Sequence, residues 1–259
     1  ATMMHRMQQR GDRIVLELKM QAQQYEDVVS HNLIGELTGS ELPEEIVVVS
    51  GHIDAWDVGQ GAQDDGVGCM ISLGATALLR QLDLTPRRTI RVVFWTNEEN
   101  GLQGARHYVR DHADELKLHV AAIESDSGNG RADGFRVDVN KQGFAHLGDG
   151  AEAAQQAAAE STMEKLEPIR LALEGLEAGT LTPSGSGADV GALAREGVLC
   201  FGLNHDWARY FDVHHTRADT FEKIVKADLD HNVAAMALMA FALADAPDRL
   251  LEWTQPASK

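Results

Sequence analysis

Short apolar runs alternate with longer segments of helical periodicity through most of the chain. Residues 45–51 and 89–97 are rich in β-branched residues and bounded by polar ones, which is typical of buried strands. In residues 226–245, apolar side chains recur at spacings of three or four, the pattern of a helix with a buried face. The predicted strands are 13–20, 32–38, 45–51, 89–97, 119–124, 134–139 and 198–203, and the predicted helices are 65–82, 101–113, 149–165, 188–196 and 226–245.

Strands and helices alternate after residue 45, and such alternation is typical of an α/β fold. We therefore predict a three-layer α/β/α sandwich around a mostly parallel, mixed central sheet, with the opening strands forming an antiparallel edge. Residues 173–187 combine glycines with polar residues and are predicted to form a loop. A chain of 259 residues is long enough to bury the core of one enzyme-sized domain.

Composition narrows the classes of partner. The chain carries 40 acidic and 23 basic residues, a formal net charge of −17, which disfavours nucleic acid and anionic membranes as partners. Its longest apolar stretch, residues 233–244, is too short to cross a bilayer. Cys69 and Cys200 fall in predicted core elements without metal-type spacing, so we expect two free thiols.

Carboxylates and a histidine follow the ends of three predicted strands. The carboxyl ends of parallel strands meet at the same end of a sheet, where ligands bind. Carboxylates gathered there would repel one another and shift their pKa values unless a cation were present. The group consists of His52 and Asp54, Glu98 and Glu99, and Glu124 and Asp126, joined by Asp64 and Asp65 at the start of a predicted helix.

The chemistry of this group indicates a metal. Histidine nitrogen and carboxylate oxygen, without a cysteine nearby, suit zinc, with manganese or cobalt as substitutes. A catalytic zinc needs only three protein ligands, so the surplus of carboxylates indicates two metal ions that share a bridging ligand. We therefore predict two Zn²⁺ ions per chain.

The segment from Gly51 to Ala62, followed by Asp64-Asp65-Gly66, resembles the co-catalytic dizinc exopeptidases, the family of aminopeptidase Y and glutamate carboxypeptidase II. The likeness extends from about Gly11 to about Ile224. It implies that residues 1–259 are a single zinc-peptidase catalytic domain, a fragment that lacks an upstream segment and a protease-associated insert domain. It also implies a full-length precursor that is secreted or periplasmic, a small peptide as substrate, and a homodimer as an open option.

The resemblance assigns metal ligands residue by residue. One zinc ion takes His52 and Asp126, the other takes Glu99 and His215, and Asp64 bridges them. His215 is preferred over its neighbour because it directly precedes the Thr of a His-Thr-x-x-Asp-Thr pattern.

The resemblance also supplies the residues that support the reaction. Asp54 is expected to accept the spare N–H of His52, as carboxylates beside metal-bound imidazoles do. Glu98 is left without a metal and becomes the general base. The family pattern further implies a cis peptide bond between Asp64 and Asp65.

Four residues are candidates for contact with substrate. His214 is expected to line the pocket beside the ligand histidine. Asp189 opens a predicted helix and is either a helix N-cap or a substrate contact. Tyr210 and Phe211 either form the pocket wall or pack the loop that carries them.

These roles imply hydrolysis of dipeptides, or of the N-terminal residue of short peptides, by a metal-bridging water. Glu98 takes the proton from that water and later delivers it to the leaving amine. Two alternatives stay open: a catalytically inactive binding homologue of the same fold, and an acyl transferase of the glutaminyl cyclase kind that works with one zinc ion. A serine hydrolase is disfavoured because the chain has no Gly-x-Ser-x-Gly segment.

Overall fold

The computed structural model describes residues 2–253, which form one mixed sheet with helices packed on it. The strands are β1 Leu33–Leu37, β2 Leu42–His52, β3 Arg88–Trp95, β4 His119–Glu124, β5 Ala132–Asp138, β6 Thr180–Pro183 and β7 Cys200–His205. The helices are α1 Thr2–Gln9, α2 Val67–Gln81, α3 Gln103–Asp111, α4 Ala151–Lys165, α5 Glu167–Glu174, α6 Val190–Arg195, α7 Tyr210–Val213 and α8 Lys226–Asp245.

The strands lie in the order β1-β3-β2-β4-β7-β5-β6. Strands β3, β2, β4 and β7 are mutually parallel, whereas β1, β5 and β6 run antiparallel to them. The predicted mostly parallel, mixed sheet is confirmed, including the antiparallel edge formed by the strand expected at 32–38. Because β2, β3 and β4 are parallel, their carboxyl ends meet at one end of the sheet.

The central strands are buried on both faces, which explains why β2 is a continuous apolar run rather than an alternating one. Val47 and Val49 pack on the face covered by α2 and α8. Val48 packs on the opposite face, with apolar residues of α3 and α6. One apolar core therefore lies on each face of the sheet, between the sheet and a layer of helices. This arrangement confirms the predicted three-layer sandwich.

The opening of the chain differs from the prediction. Residues 13–20, expected as a strand, have no regular structure, and Val15 and Leu18 are 73% and 81% exposed. Their apolar pattern suits a strand, but a strand forms only where a neighbouring edge supplies hydrogen bonds, and this segment pairs with no strand of residues 2–253. The predicted strand is therefore wrong in this structure.

Four further elements were not predicted, namely the helices α1, α5 and α7 and the strand β6. Helix α5 follows α4 after a short turn, with Pro168 in its first turn, where proline is tolerated. Strand β6 lies inside residues 173–187, which were predicted to be a loop, and it extends the sheet by pairing with β5. Helix α5 has only eight residues, of which Ile169 and Leu173 are buried, and β6 has four residues and buries none of them, so neither element adds a long apolar run to the sequence.

Cys69 and Cys200 are free and buried, as predicted. No helix in residues 2–253 is both long enough and apolar enough to span a membrane.

Candidate metal centre

The candidate ligands are brought together at the carboxyl ends of three parallel strands. His52 is the last residue of β2, while Asp126 and the Glu98-Glu99 pair follow β4 and β3. Asp64 lies in an irregular turn, Ala62–Gly66, between β2 and α2, and its peptide bond with Asp65 is cis, as the resemblance implied.

Two ligand groups share Asp64. In the first, His52 Nε2 lies 3.1 Å from Asp64 Oδ1 and 3.5 Å from Asp126 Oδ1. In the second, His215 Nε2 lies 3.2 Å from Asp64 Oδ2 and 2.9 Å from Glu99 Oε2. Asp64 itself is buried, and each of its two carboxylate oxygens faces one of the two groups.

The histidine pair is more closely coupled than the sequence suggested. The rings of His214 and His215 stack with centroids 3.6 Å apart, and His214 Nε2 is 3.4 Å from Asp64 Oδ2. Either ring can therefore offer a nitrogen to an ion beside Asp64. Only His215 also reaches Glu99, which is the geometric reason for preferring it as the ligand.

The site contains buried oxygens that lack hydrogen bonds. Asp64 Oδ2 and Glu99 Oε1 have no hydrogen-bond partner. Leaving a buried carboxylate oxygen unsatisfied is costly. A divalent cation would satisfy these oxygens and offset the repulsion among the carboxylates, so the residues present fit a metal ion.

The electrostatics of the cluster show the same imbalance. Burial raises the pKa of Glu98 to about 7, assisted by the negative charges of Asp126 and Glu99. Burial and the charge of Asp64 likewise raise the pKa of Glu99 to about 7. Burial lowers the pKa of His52, but hydrogen bonds with Asp126 and Asp64 outweigh it and raise that pKa.

Asp54 supports the site differently from the prediction. His52 Nδ1 lies 3.0 Å from the backbone oxygen of Asp54, which can only accept, so Nδ1 carries the proton and Nε2 faces the ligand group. The Asp54 carboxylate is farther from that nitrogen, at 3.7 Å. Instead it accepts the backbone N–H groups of Glu98 at 3.0 Å and Glu99 at 3.2 Å. Asp54 thus fixes both the histidine and the two glutamates.

Asp65 and Trp56 also hold the ligands in place. The buried Asp65 carboxylate accepts the backbone N–H of His52 at 3.0 Å and that of Gly68 at 3.1 Å, which ties the turn to β2 and α2. Trp56 packs against the His215 ring, with centroids 4.7 Å apart. Trp56 was not singled out as a functional residue, although it lies within the Gly51 to Ala62 segment that carried the resemblance.

The substrate candidates occupy different depths. Phe211 is 61% exposed beside His214, with ring centroids 5.6 Å apart, and Tyr210 is buried behind them. Asp189 is fully buried and makes no N-capping hydrogen bond. Burial and the charge of Glu124 raise the pKa of Asp189 to about 10.

The family assignment follows from comparison with known proteins. The model of peptidase family M28 matches residues 32–240. The chain belongs to peptidase family M28. This M28 segment includes every ligand of both groups described above, and the match confirms the family resemblance inferred from the sequence.

The M28 relatives are longer than this chain. Carboxypeptidase Q from Pongo abelii is 37% identical over 250 residues, which cover 96% of the chain and 49% of that protein. Carboxypeptidase Q from Homo sapiens is 36% identical over 250 residues, which again cover 96% of the chain and 49% of that protein. The chain therefore spans about half the length of these M28 relatives.

Solved M28 structures share the fold. The crystal structure of a peptidase M28 precursor from Shewanella amazonensis matches with a TM-score of 0.72 and 33% identity, covering 88% of this chain and 47% of that chain. BSAP, a zinc aminopeptidase from Bacillus subtilis, matches with a TM-score of 0.61 and 22% identity, covering 88% and 53%. The second likeness concerns the fold alone.

Proposed function

We propose that this chain is the catalytic part of a zinc-dependent exopeptidase that hydrolyses dipeptides or removes the N-terminal residue of short peptides. The observation that carries the proposal is the position of Asp64 between two ligand groups. Its Oδ1 is 3.1 Å from His52 Nε2 and its Oδ2 is 3.2 Å from His215 Nε2. A carboxylate in that position is suited to bridge two metal ions.

The metals are proposed to be two zinc ions. His52 and Asp126 would hold one, Glu99 and His215 the other, and Asp64 would bridge them, while manganese and cobalt are the substitutes that this ligand chemistry allows. The zinc aminopeptidase from Bacillus subtilis supports the choice of metal through its shared fold. The name of carboxypeptidase Q supports peptide hydrolysis through sequence identity.

Glu98 is the proposed general base. Bound zinc supplies Lewis acid chemistry, since it polarises a carbonyl group and lowers the pKa of water. Glu98 Oε2 lies 4.0 Å from His52 Nε2, so its carboxylate borders the ligand cluster. A group whose pKa is near 7 can take a proton from attacking water and return it to the leaving amine at neutral pH. The Asp54 carboxylate holds Glu98 in position by accepting a hydrogen bond from the backbone N–H of Glu98.

The four substrate candidates stay in the proposal with different weights. His214 and Phe211 are accessible at the rim and suit direct contact. Tyr210 supports His214 from behind, with ring centroids 4.8 Å apart. Asp189 is buried next to Glu124, so any influence on substrate would be exerted through neighbouring groups.

The activity of the whole protein is also a proposal, because the chain spans about half the length of its M28 relatives. A small peptide substrate, export as a secreted or periplasmic precursor, a homodimer, and additional upstream and insert domains are all carried over from the family. The net charge of −17 supports the expectation that nucleic acid and anionic membranes are not partners.

The decisive experiment is metal analysis by mass spectrometry on protein purified without chelator, combined with hydrolysis of a dipeptide panel before and after chelation. We expect about two zinc ions per chain and cleavage that chelation abolishes and added zinc restores. One zinc ion with cyclisation of N-terminal glutamine would instead indicate the acyl transferase. Protein that binds no metal and cleaves nothing would indicate the inactive binding homologue.

A further inference from the structure

Three segments that follow strands or helices each carry one candidate ligand. They are the Asp64 turn (Ala62–Gly66), the Asp126 loop (residues 125–131) and the His215 loop (residues 214–225). Gln63 and Asp219 belong to neither ligand group, yet they are only 7% and 2% exposed. Buried polar side chains are almost always hydrogen-bonded, and the partners of these two lie in all three segments.

The Gln63 amide joins the Asp64 turn to both loops. Its Oε1 accepts the backbone N–H of Asn129, in the Asp126 loop, at 2.6 Å. Its Nε2 donates to the backbone oxygen of Lys223, in the His215 loop, at 3.1 Å. The side chain of Asn129 also donates to the backbone oxygen of Val225 at 2.9 Å, so the two loops meet beside Gln63.

The Asp219 carboxylate joins the His215 loop to the Asp64 turn. Its Oδ1 accepts the backbone N–H of Gln63 at 2.7 Å, and its Oδ2 accepts that of Asp64 at 3.2 Å. Both oxygens are used within the chain, whereas Asp64 and Glu99 each keep a buried oxygen without a hydrogen bond. Hydrogen bonds to an ionised carboxylate are strong, so Asp219 holds the backbone of the shared ligand in place.

The three segments also fit closely together. Gly128, in the Asp126 loop, has a φ of +83°, and a Cβ atom there would lie 2.6 Å from Gln63 Oε1. A Cβ atom at Gly59, just before the Asp64 turn, would lie 2.8 Å from the backbone oxygen of Thr216 in the His215 loop. Such close packing transmits displacement, so one segment cannot move far without its neighbours.

We propose that Gln63 and Asp219 couple the two metal sites, so that filling one site organises the ligands of the other. This inference rests on the proposed function, because it concerns the two zinc ions named there. Both are positioning residues that act through the ligands. Fixing Asp126 and Asp64 in the first site also fixes Gln63 and, through its two loop contacts, the loop that brings His215 to the second site.

This coupling differs in sign from the effect of the shared carboxylate. Two cations beside Asp64 repel each other, so sharing that ligand weakens the binding of the second ion. Segments that are ordered by the first ion, by contrast, lose less conformational freedom when the second one binds, which strengthens its binding. Loss of the Gln63 and Asp219 contacts should therefore separate the two binding steps rather than weaken both equally.

The first test is calorimetric titration with zinc of protein stripped of metal, which gives two stepwise affinities. Asp219→Asn keeps the shape of the side chain but turns an amide toward one of the two N–H groups. Gln63→Met keeps the length and removes both side-chain hydrogen bonds. We expect each variant to lower the affinity for the second ion, relative to the first, by about 10-fold. The double variant should lose little more than either alone, because the two residues act as one unit.

The matched controls make the same changes at the amino end of the sheet. Asp245→Asn alters a carboxylate that accepts the backbone N–H of Arg87 at 3.2 Å. Gln155→Met removes an amide that donates to the backbone oxygen of Val139 at 2.8 Å. Their ratio of the two zinc affinities should stay within about twofold of the wild-type ratio, because distant sites act independently. An equal change of the ratio in the controls and in the Gln63 and Asp219 variants would overturn the proposal.

Hydrogen exchange measures the coupling with a single ion. In His215→Gln protein, which lacks the histidine of the second group, one equivalent of zinc should slow amide exchange in residues 216–225 as well as around Asp126. Adding Gln63→Met should weaken the protection of residues 216–225 and keep that around Asp126. Equal protection of residues 216–225 with and without Gln63 would contradict the coupling.

These measurements separate the inference from the proposed function. Wild-type protein that binds two zinc ions but cleaves no peptide would contradict the exopeptidase, while the titrations still tested the coupling. Wild-type protein that cleaves dipeptides and has the same ratio of zinc affinities as both variants would count against the coupling alone. Protein that binds no zinc would overturn both proposals.

Discussion

Buried carboxylates are paired with arginines at one end of the central sheet and lack such partners at the other. At the amino end, Glu45 is held by two arginines, with Arg88 Nε at 2.5 Å and Arg249 Nη2 at 2.7 Å. At the carboxyl end, Asp64 and Glu99 each retain a buried oxygen without a hydrogen bond. The first arrangement is complete within the chain, whereas the second calls for ions from solution.

The pKa shifts express this difference. Burial raises the pKa of Glu45, but hydrogen bonds from Arg88 and Arg249 outweigh it, so the pKa falls below its ordinary value. Glu98 at the opposite end has no arginine partner in residues 2–253, and burial outweighs the influence of His52 and raises its pKa to about 7. Charges that the fold pairs internally serve stability, while charges left unpaired at strand ends are available for metal binding and catalysis.

The largest expected effect is on turnover and tests the carboxyl end of the sheet. Glu98→Gln removes the group that transfers the proton but keeps its size and its backbone hydrogen bond to Asp54. We expect turnover to fall by about 10² to 10⁴-fold, the usual contribution of a general base, with the zinc content unchanged. Steady-state kinetics and metal analysis measure the two quantities.

The control for that substitution is Glu164→Gln, which makes the same chemical change on the exposed surface of α4. It should leave turnover and zinc content as they are. Near-normal turnover in Glu98→Gln would remove Glu98 from the role of base.

The next largest effect is on stability and tests the amino end of the sheet, where Glu45 is paired with two arginines. Glu45→Gln leaves Arg88 buried with a neutral neighbour, and breaking a buried ion pair on one side costs about 3 kcal/mol in the free energy of unfolding. Zinc content and turnover of the folded protein should not change, because the pair lies at the other end of the sheet. Urea unfolding with the metal content held constant measures the loss.

A matched surface pair shows how much of that loss depends on burial. Glu41 pairs with Arg87 at 3.2 Å, but its side chain is 60% exposed, so Glu41→Gln should cost under about 1 kcal/mol. Equal losses in the two variants would mean that the amino end gains nothing from enclosing its charges.

A smaller effect on zinc binding or turnover is expected at Asp54, which holds the backbone of Glu98 and Glu99. Asp54→Asn replaces one of the two oxygens that accept the N–H groups of Glu98 and Glu99 by an amide that cannot accept. We expect a loss of about 10 to 100-fold in zinc affinity or in turnover, as for other residues that orient metal ligands.

Asp57→Asn is the control for that loss, because Asp57 is exposed in the same loop and contacts neither glutamate in the described residues. A zinc titration and kinetics on both variants decide the comparison. If Asp54→Asn behaves as Asp57→Asn does, the Glu98-Glu99 segment is held by the rest of the fold and Asp54 is dispensable.

Much of the fold could be predicted because parallel strands carry a strong local signal. The β-branched runs at 45–51 and 89–97 are buried on both faces, so their apolar character is continuous and easy to recognise. Residues 13–20 show a similar character but lack a neighbouring strand. An apolar pattern shows that a segment is able to form a strand. Whether it does so depends on the tertiary structure, which must place the edge of a sheet beside it.

The site was predictable to the extent that its residues lie together in the sequence. His52, Asp64 and the two glutamates fall inside or next to short motifs that the resemblance covers. The contact between the rings of Trp56 and His215 could not be found in this way, because it joins residues that lie 159 positions apart in the chain. The contact between the Asp54 carboxylate and two backbone N–H groups depends in the same way on how β2 and β3 pair.

The smallest expected effect compares the buried histidines of the two ends. His119, at the start of β4, has Nδ1 3.0 Å from the backbone oxygen of Glu115 and Nε2 2.8 Å from the Tyr108 hydroxyl. The carbonyl only accepts, so Nδ1 carries the proton and Nε2 accepts from the tyrosine. Burial lowers the pKa of His119 to about 4, and the positive charges of Arg91 and His112 act in the same direction.

Because this pKa lies below that of an unfolded histidine, the unfolded chain binds more protons between about pH 4 and pH 6.5. The free energy of unfolding should therefore fall as the pH drops through that window, by about 2 kcal/mol between pH 7 and pH 5 from this residue. His119→Gln removes the titrating group and should show a shallower decline in urea unfolding at matched zinc concentration. At the carboxyl end protons compete with zinc for His52 instead, so equal metal loading of the two proteins keeps that contribution out of the comparison. Parallel declines for wild type and His119→Gln would show that His119 does not contribute to the loss of stability in acid.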